Sequence, residues 1–309
     1  MDKEPKIVIL LSTYNGEDFL AEQLDSLLKQ TYSNFIIIIR DDGSTDGTEN
    51  IINHYVVKNH GKIHKLSGTR TNVGASSSFS LLMNYAINEK KALGISRLYM
   101  MLCDQDDIWI EKKLEIQMSE MLYVEQNFPD SPILVHSDLK VVDHCKSVIA
   151  ESFIEYQGLE IKRNKFTNLV ISNLVTGCTT LFNEELAQMA RPVPDRAIMH
   201  DWWLALTASA FGEVRFIDTP LVEYRQHANN TIGAQEFTRA KISNTARVFS
   251  LTPKVSSHLV DVAEQANEFQ RRFGKALGLK QNLCLKISSM MKFRLVGLQR
   301  VFCRIARSF

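Results

Sequence analysis

Three carboxylates, Asp104, Asp106 and Asp107, follow directly on the apolar run LYMML in the stretch MLCDQDDIWI. Like charges at the end of a buried strand repel one another and resist desolvation. A divalent cation would offset that cost. Mg2+ and Mn2+ take oxygen ligands, and Mg2+ commonly accepts only one or two from protein, leaving the rest to phosphates and water. Asp104 and Asp106 therefore suit a metal–diphosphate complex. The plainer reading is a solvated acidic loop, with Asp107 capping the helix that EKKLEIQM predicts.

Four further groups have a chemical and a structural reading each. In RDDGSTDGT, Ser44 or Asp46 suits a helix cap, while Asp42 stands just beyond a strand. A carboxylate there can accept from the imide N–H of uracil or thymine, which cytosine lacks. In STYNGE, Tyr14 can stack on a base and the amides near Asn15-Gly16 can face a phosphate, or the segment is simply a turn. Asp201, in HDWW, is either an N-cap or a general base. The helix dipole keeps it ionised but lowers its basicity, and burial beside Trp202 and Trp203 works the other way. His227, in YRQH, gains a role only if the acidic cluster holds a metal.

The elements that must position these groups alternate. KIVILLSTY, NFIIIIR, KIHKLS and RLYMMLC read as short buried strands, and EDFLAEQLDSLLKQ, TENIINHYVV and ASSSFSLLMNYAINEKK as helices between them. Such alternation predicts an α/β fold, a mostly parallel sheet flanked by helices, with ligands at the carboxyl ends of the strands. STYNG, DDGS and DQDD all fall at those ends. Beyond residue 132 the pattern loosens into PILVHSDLKVVD, the short strand TGCTTLF, the helix HDWWLALTASAFG starting at Asp201 and stopping at Gly212, and VRFIDTPLVEYRQH, where Pro220 implies an edge or bend. After residue 240 the chain reads as helical.

Composition narrows the classes. The 309 residues are 45% hydrophobic and 23% charged, those of a globular chain with a substantial core. A formal charge of +1 gives no reason to expect a nucleic-acid partner. Five scattered cysteines without a CxxC pair argue against a disulfide framework or a zinc site and fit a reducing compartment. IVILL is too short for a signal-peptide core, and no apolar run is long enough to span a bilayer, so a cytoplasmic location is expected. No GxGxxG follows the first strand, and GxxxxGK[ST] and GxSxG are absent, which weakens dehydrogenase, P-loop and α/β-hydrolase readings.

In their order, STYNGE, RDDGSTDGT, RTNVG, DQDDIW and HDWW, closed by YRQH, resemble glycosyltransferase family 2, whose nucleotide-sugar-binding fold is called GT-A. The match covers roughly residues 5 to 235. The resemblance implies that Thr13, Tyr14 and Asn15 bind the base, with Asp42 reading the pyrimidine imide and Arg70 and Asn72 on a third donor-side segment. It implies that Asp104 and Asp106 form the Asp-x-Asp motif, with Asp106 the direct ligand of Mg2+ or Mn2+ and His227 completing the metal shell. Asp201 matches the catalytic base, and His200 stands where the family commonly has Glu. The implied reaction is inverting transfer from a nucleotide sugar to a glycan or lipid-linked glycan. Within the family the chain looks most like bacterial rhamnosyltransferases of cell-wall or capsular polysaccharide synthesis, which use dTDP-β-L-rhamnose; a UDP-hexose donor is the alternative. A homodimer is a candidate assembly.

The expected boundaries are a catalytic domain over residues 1–238 and a helical extension over 239–309. Residues 280 to 309 carry three Lys, four Arg and no acidic residue, interleaved with apolar side chains. This pattern suits an amphipathic helix on an anionic membrane at its cytoplasmic face, or a helix packed on the catalytic domain. Two competing functions stand beside the transferase. A sugar-1-phosphate nucleotidyltransferase shares the α/β plan but usually has a Gly-rich, basic first loop where this chain has STYNGE. A non-catalytic scaffold subunit is the other.

Overall fold

The computed structural model of the chain describes residues 5–66, 71–227, 257–292 and 296–307. β1 (Lys6–Thr13), β2 (Phe35–Asp41), β3 (Ile63–Lys65) and β4 (Leu98–Cys103) are the four strands read from the sequence. They pair in parallel in the order β3-β2-β1-β4. Ile7 to Leu11 have no exposed surface because helices cover both faces, which is why the run is apolar throughout rather than alternating. The alternation survives in which core each residue enters. Val8 and Leu10 join Ile36, Ile38, Met100 and Leu102 in one core, whereas Ile7, Ile9 and Leu11 join Ile37, Ile39 and Met101 in the other. A charge at Ile9 would break the second core, since burying such a side chain contributes about 2–3 kcal/mol and an unpaired charge costs more.

α1 (Leu20–Leu28) lays Leu20, Leu24 and Leu27 on the sheet at helical spacing. α2 (Thr48–Lys58) and α3 (Ala75–Asn88) follow β2 and β3. β5 (Ile108–Trp109) and α4 (Lys113–Asn127) come next, then β6 (Ile133–Val142) and β7 (Val148–Ala150). Two short helices, α5 (Phe153–Gln157) and α6 (Phe166–Leu169), precede β8 (Thr180–Asn183), α7 (Glu184–Ala190), α8 (His200–Phe211) and β9 (Glu213–Arg225).

The second half of the sheet departs from a parallel plan. β8 inserts antiparallel between β4 and β6, β6 pairs in parallel with β9, and β5 is antiparallel to β9. Pro220 does mark a bend: the β6–β9 register shifts opposite Asp138, where proline cannot donate to the ladder. TGCTTLF is only partly a strand, because Gly177–Thr179 form a 3-10 turn ahead of β8.

Three helices close the chain: α9 (Ser257–Phe273), α10 (Leu279–Ser289) and α11 (Val296–Arg307). They share the first core. Phe269 is fully buried, with ring centroids 5.1 Å from Trp203 and 5.5 Å from Phe166, and Cys284, Leu285 and Met291 are buried with it. The outer side is different. Leu279 and Leu283 of α10 stay 93% and 47% exposed, and Val301 and Ile305 of α11 are exposed too. Among the described residues no helix is long and apolar enough to cross a membrane.

Candidate active site

The carboxyl ends of β1, β2 and β4 open into a cleft of about 770 Å³, lined by Thr13, Tyr14, Asp42, Asn72, Asp104, Asp106, His200 and Asp201, among others. Arg70 lies outside the described residues. Asn15 does not line the cleft. It adopts a left-handed φ of 48° and its Oδ1 accepts from Thr45 N at 2.9 Å, so it braces the loop after β2. Tyr14 is 46% exposed, leaving its ring free to meet a planar ligand.

Gln105 stitches the first and third of these loops together, and sequence reasoning missed it. Its Oε1 accepts from Thr13 Oγ1 at 2.6 Å and Tyr14 N at 2.8 Å, while its Nε2 donates to Tyr14 O at 3.1 Å. Asp42 is 2% exposed. Its Oδ1 accepts from Arg40 Nη1 at 2.5 Å and Val73 N at 2.9 Å, and its Oδ2 from Gly74 N at 2.8 Å. Asp42 thus fastens the entry to α3 while bordering the cleft.

The acidic cluster emerges from β4 as expected, but Asp107 does not cap α4. That helix starts at Lys113 with Lys112 as its N-cap, because β5 intervenes. Asp107 is instead 1% exposed, and its Oδ2 finds no hydrogen-bond partner among the described residues. Burial, then the Asp106 and Asp104 charges, push its pKa well up. Asp104 is pushed up to about 7 by burial and by the charges of Asp106 and Asp201. Converging carboxylates held this way are what a cation would relieve. Asp106 Oδ2 lies 2.8 Å from His227 Nε2. Carboxylate oxygens with one imidazole nitrogen form a donor set that fits Mg2+ or Mn2+.

Behind His227 stands a support that the sequence did not reveal. Phe19 stacks on the imidazole at 4.8 Å, and the Arg225 guanidinium lies 4.9 Å from the Phe19 ring centroid. Arg225 Nε donates to Asp106 O and its Nη1 to His144 O, each at 3.0 Å, and Nη2 pairs with Glu22. These partners lie far apart in sequence, and no local pattern marks them.

Asp201 lines the same cleft, near enough for its charge to raise the Asp104 pKa. It is not the N-cap of α8, which begins at His200 after Met199. Its Oδ2 accepts from Gly177 N at 3.0 Å and its Oδ1 from Trp202 N at 2.6 Å. Burial raises its pKa to about 6 against those two bonds, which lower it. Trp202 and Trp203 anchor the helix, donating from Nε1 to Leu169 O at 2.6 Å and Ala190 O at 2.9 Å. The remaining wall comes from Phe153 and Gln157 of α5, the 172–177 loop, Tyr224 and His258 of α9.

A half-exposed aromatic ring, a cluster of carboxylates and a further buried carboxylate thus line one cleft at the carboxyl ends of strands in an α/β fold. Residues 8–183, more than half of the chain, match the model of Glycosyl transferase family 2, and the chain belongs to that family. It is 27% identical over 243 residues to dTDP-rhamnosyl transferase RfbG of Shigella flexneri, covering 75% of this chain and 76% of that protein. It is 27% identical over 175 residues to the UDP-Glc:alpha-D-GlcNAc-diphosphoundecaprenol beta-1,3-glucosyltransferase WfgD of Escherichia coli, covering 57% and 58%. In fold it is similar to S. aureus TarS 1–349 in complex with UDP-GlcNAc, with a TM-score of 0.53 at 15% identity over 98% of this chain and 92% of that one. The GT-A fold expected from the sequence is the fold observed.

Proposed function

We propose that the chain is an inverting, metal-dependent glycosyltransferase of polysaccharide synthesis that moves L-rhamnose from dTDP-β-L-rhamnose to a hydroxyl of a glycan, in keeping with its likeness to RfbG. The observation that carries this reading is that Asp201, Asp104 and Asp106 line one cleft, with the Asp201 charge felt by Asp104. Tyr14 and Thr13 hold the base, Asp42 accepts from its imide N–H, and Asn72 lines the donor side. Asp106 and His227, with Asp104 beside them, would hold Mg2+ or Mn2+, which would supply charge neutralisation for a departing diphosphate, worth several kcal/mol. Asp201 takes the acceptor proton, and the bond to the anomeric carbon forms on the face opposite the leaving group, inverting that centre. A UDP-hexose donor is the second reading, favoured by the likeness to WfgD.

The basic, apolar outer side of α10 and α11 supports peripheral docking at the cytoplasmic face of a membrane, beside a lipid-linked acceptor. The helices described over residues 257–307 then serve as an extension of the catalytic domain that shares its core.

The donor test is a thermal-shift panel of dTDP, UDP, GDP, CDP and ADP, each with and without Mn2+ or Mg2+. A ligand at a hundred times its Kd adds about 2.7 kcal/mol to apparent stability. Metal-dependent stabilisation by dTDP above UDP supports the rhamnose reading, and UDP above dTDP the hexose reading. No response to any pyrimidine diphosphate would return the scaffold reading to the front.

A further inference from the structure

Gly177 lies where the 172–177 loop enters its 3-10 turn, and it borders the cleft. A methyl group on its Cα would lie 3.4 Å from His200 Nε2 and 3.7 Å from Asp201 Oδ2. Those are ordinary contact distances. Gly177 is also not among the residues of positive φ. Neither packing nor backbone geometry therefore requires glycine, yet a side chain there would stand against two polar side-chain atoms that line the same cleft.

His200 is built to present one nitrogen to that cleft. It is 5% exposed and stacks on Phe79 with ring centroids 4.3 Å apart. Its Nδ1 is buried without a hydrogen-bond partner among the described residues, while Nε2 is the nitrogen beside the opening. Orphaned buried N–H groups are rarer than under-satisfied acceptors, so the proton belongs on Nε2. Burial also holds the imidazole neutral, with a pKa lowered to about 3.

We propose that the reacting hydroxyl of the acceptor docks against Gly177, donating to Asp201 Oδ2 and accepting from His200 Nε2–H. This rests on the transferase reading and adds to it the place of the nucleophilic oxygen and a role for His200. A hydroxyl oxygen has one proton and two lone pairs. Fixing the proton on Asp201 and one lone pair on His200 leaves a single lone pair to form the bond to the anomeric carbon. The proton passes to Asp201, and the nucleoside diphosphate leaves with the electron pair of the broken bond. Orientation of this kind is a large share of catalysis between two bound reactants.

The test uses the full chain with the pyrimidine-diphosphate sugar chosen by the binding panel, and glycerol as the probe hydroxyl. Gly177→Ala and His200→Asn are expected to lower transfer to glycerol at least about tenfold. Calorimetric affinity for the nucleoside diphosphate with Mn2+ stays within about twofold. His200→Gln, whose amide nitrogen reaches toward the Nε2 position, retains transfer within about threefold of wild type. Wild-type transfer by Gly177→Ala would overturn the proposal, as would a parallel loss of nucleotide affinity. A second measurement needs neither donor nor turnover: long-range 15N–1H spectra of the histidine side chains should find the His200 proton on Nε2. A proton on Nδ1 overturns the docking geometry alone. A wild-type chain that binds no nucleoside diphosphate overturns the transferase reading and this one with it.

Discussion

Asp106 Oδ2 lies 2.8 Å from His227 Nε2, although 121 residues separate them in the chain. Two elements make the contact. β4 delivers Asp106, and β9 runs back across the sheet to deliver Arg225 and His227. Arg225 fixes both ends of the arrangement, donating to Asp106 O and lying on Phe19, which stacks on His227. Asp106→Ala and His227→Ala are each expected to weaken Mn2+-supported nucleotide binding by about 10–100-fold, the usual cost of disturbing a metal's ligands or their supports. Calorimetry with and without Mn2+ reads this directly, and metal-free nucleotide affinity should hardly change.

Arg225→Ala should act on folding as well. Arg225 is 3% exposed and its removal leaves the buried Asp106 carbonyl without this donor. A loss of about 1–3 kcal/mol is expected, the range for leaving a buried acceptor unpaired. Urea denaturation with an unchanged m-value would measure it. A variant as stable as wild type would show that the clasp holds nothing.

On the proposed mechanism, Asp201 would govern the pH dependence of transfer. Its pKa is raised to about 6, chiefly by burial. A base accepts a proton only when ionised, so transfer should climb about tenfold per pH unit on the acid side of that value and level off above it. The stability consequence has the opposite sign. The folded state holds this proton more tightly than the unfolded chain, so stability falls as pH rises from about 4 to about 6. Asp201→Asn should be inactive at pH 7.5, and its stability should no longer fall between about pH 4 and 6, although its amide nitrogen replaces one of the two oxygens that accept from Gly177 N and Trp202 N. Thermal scans of both proteins at acid and neutral pH, with the fall present only in the wild type, check the sign.

Much of the parallel half of the sheet was legible in the sequence. β-branched apolar runs stopped by Asn-Gly, Asp-Gly or Asp-Asp are local signals, and β1, β2 and β4 ended where those signals fell. Asp107 and Asp201 were harder. Both suit a helix cap by type, but a cap depends on where the helix starts, and β5 and Met199 moved those starts away. Gln105, Gly177 and Arg225 left no trace because their partners are remote: Arg225 and Glu22 stand 203 positions apart. Hydrophobic periodicity reports which face a residue occupies, not which distant chain meets it. The antiparallel insertion of β8 was hidden for the same reason.

Phe269 tests the tie between α9 and the catalytic core. Phe269→Ala should cost about 3–5 kcal/mol, the usual figure for an aromatic removed from a core. Because α9 shares that core, the loss should appear as a lower midpoint of one cooperative transition followed by circular dichroism. Two separated transitions would mean that the C-terminal helices fold by themselves.

Surface charge on α10 and α11 should govern vesicle binding. Lys280→Glu, Lys286→Glu and Arg304→Glu together should abolish flotation with vesicles of about 30% phosphatidylglycerol, since each basic residue near such a surface contributes about 1 kcal/mol. Flotation unchanged by the triple substitution, or equal on neutral vesicles, would assign this face to something other than an anionic membrane.

The central claim is that Asp201 and the Asp106 site act together on a nucleotide sugar. Its most direct measurement is nucleoside-diphosphate release from dTDP-β-L-rhamnose and from UDP-sugars by the wild-type chain and by Asp201→Asn, with Mn2+ present or chelated. The account predicts metal-dependent release by the wild type, none by Asp201→Asn, and unimpaired nucleotide binding by that variant. Release that persists in Asp201→Asn, or that ignores the metal, would contradict it.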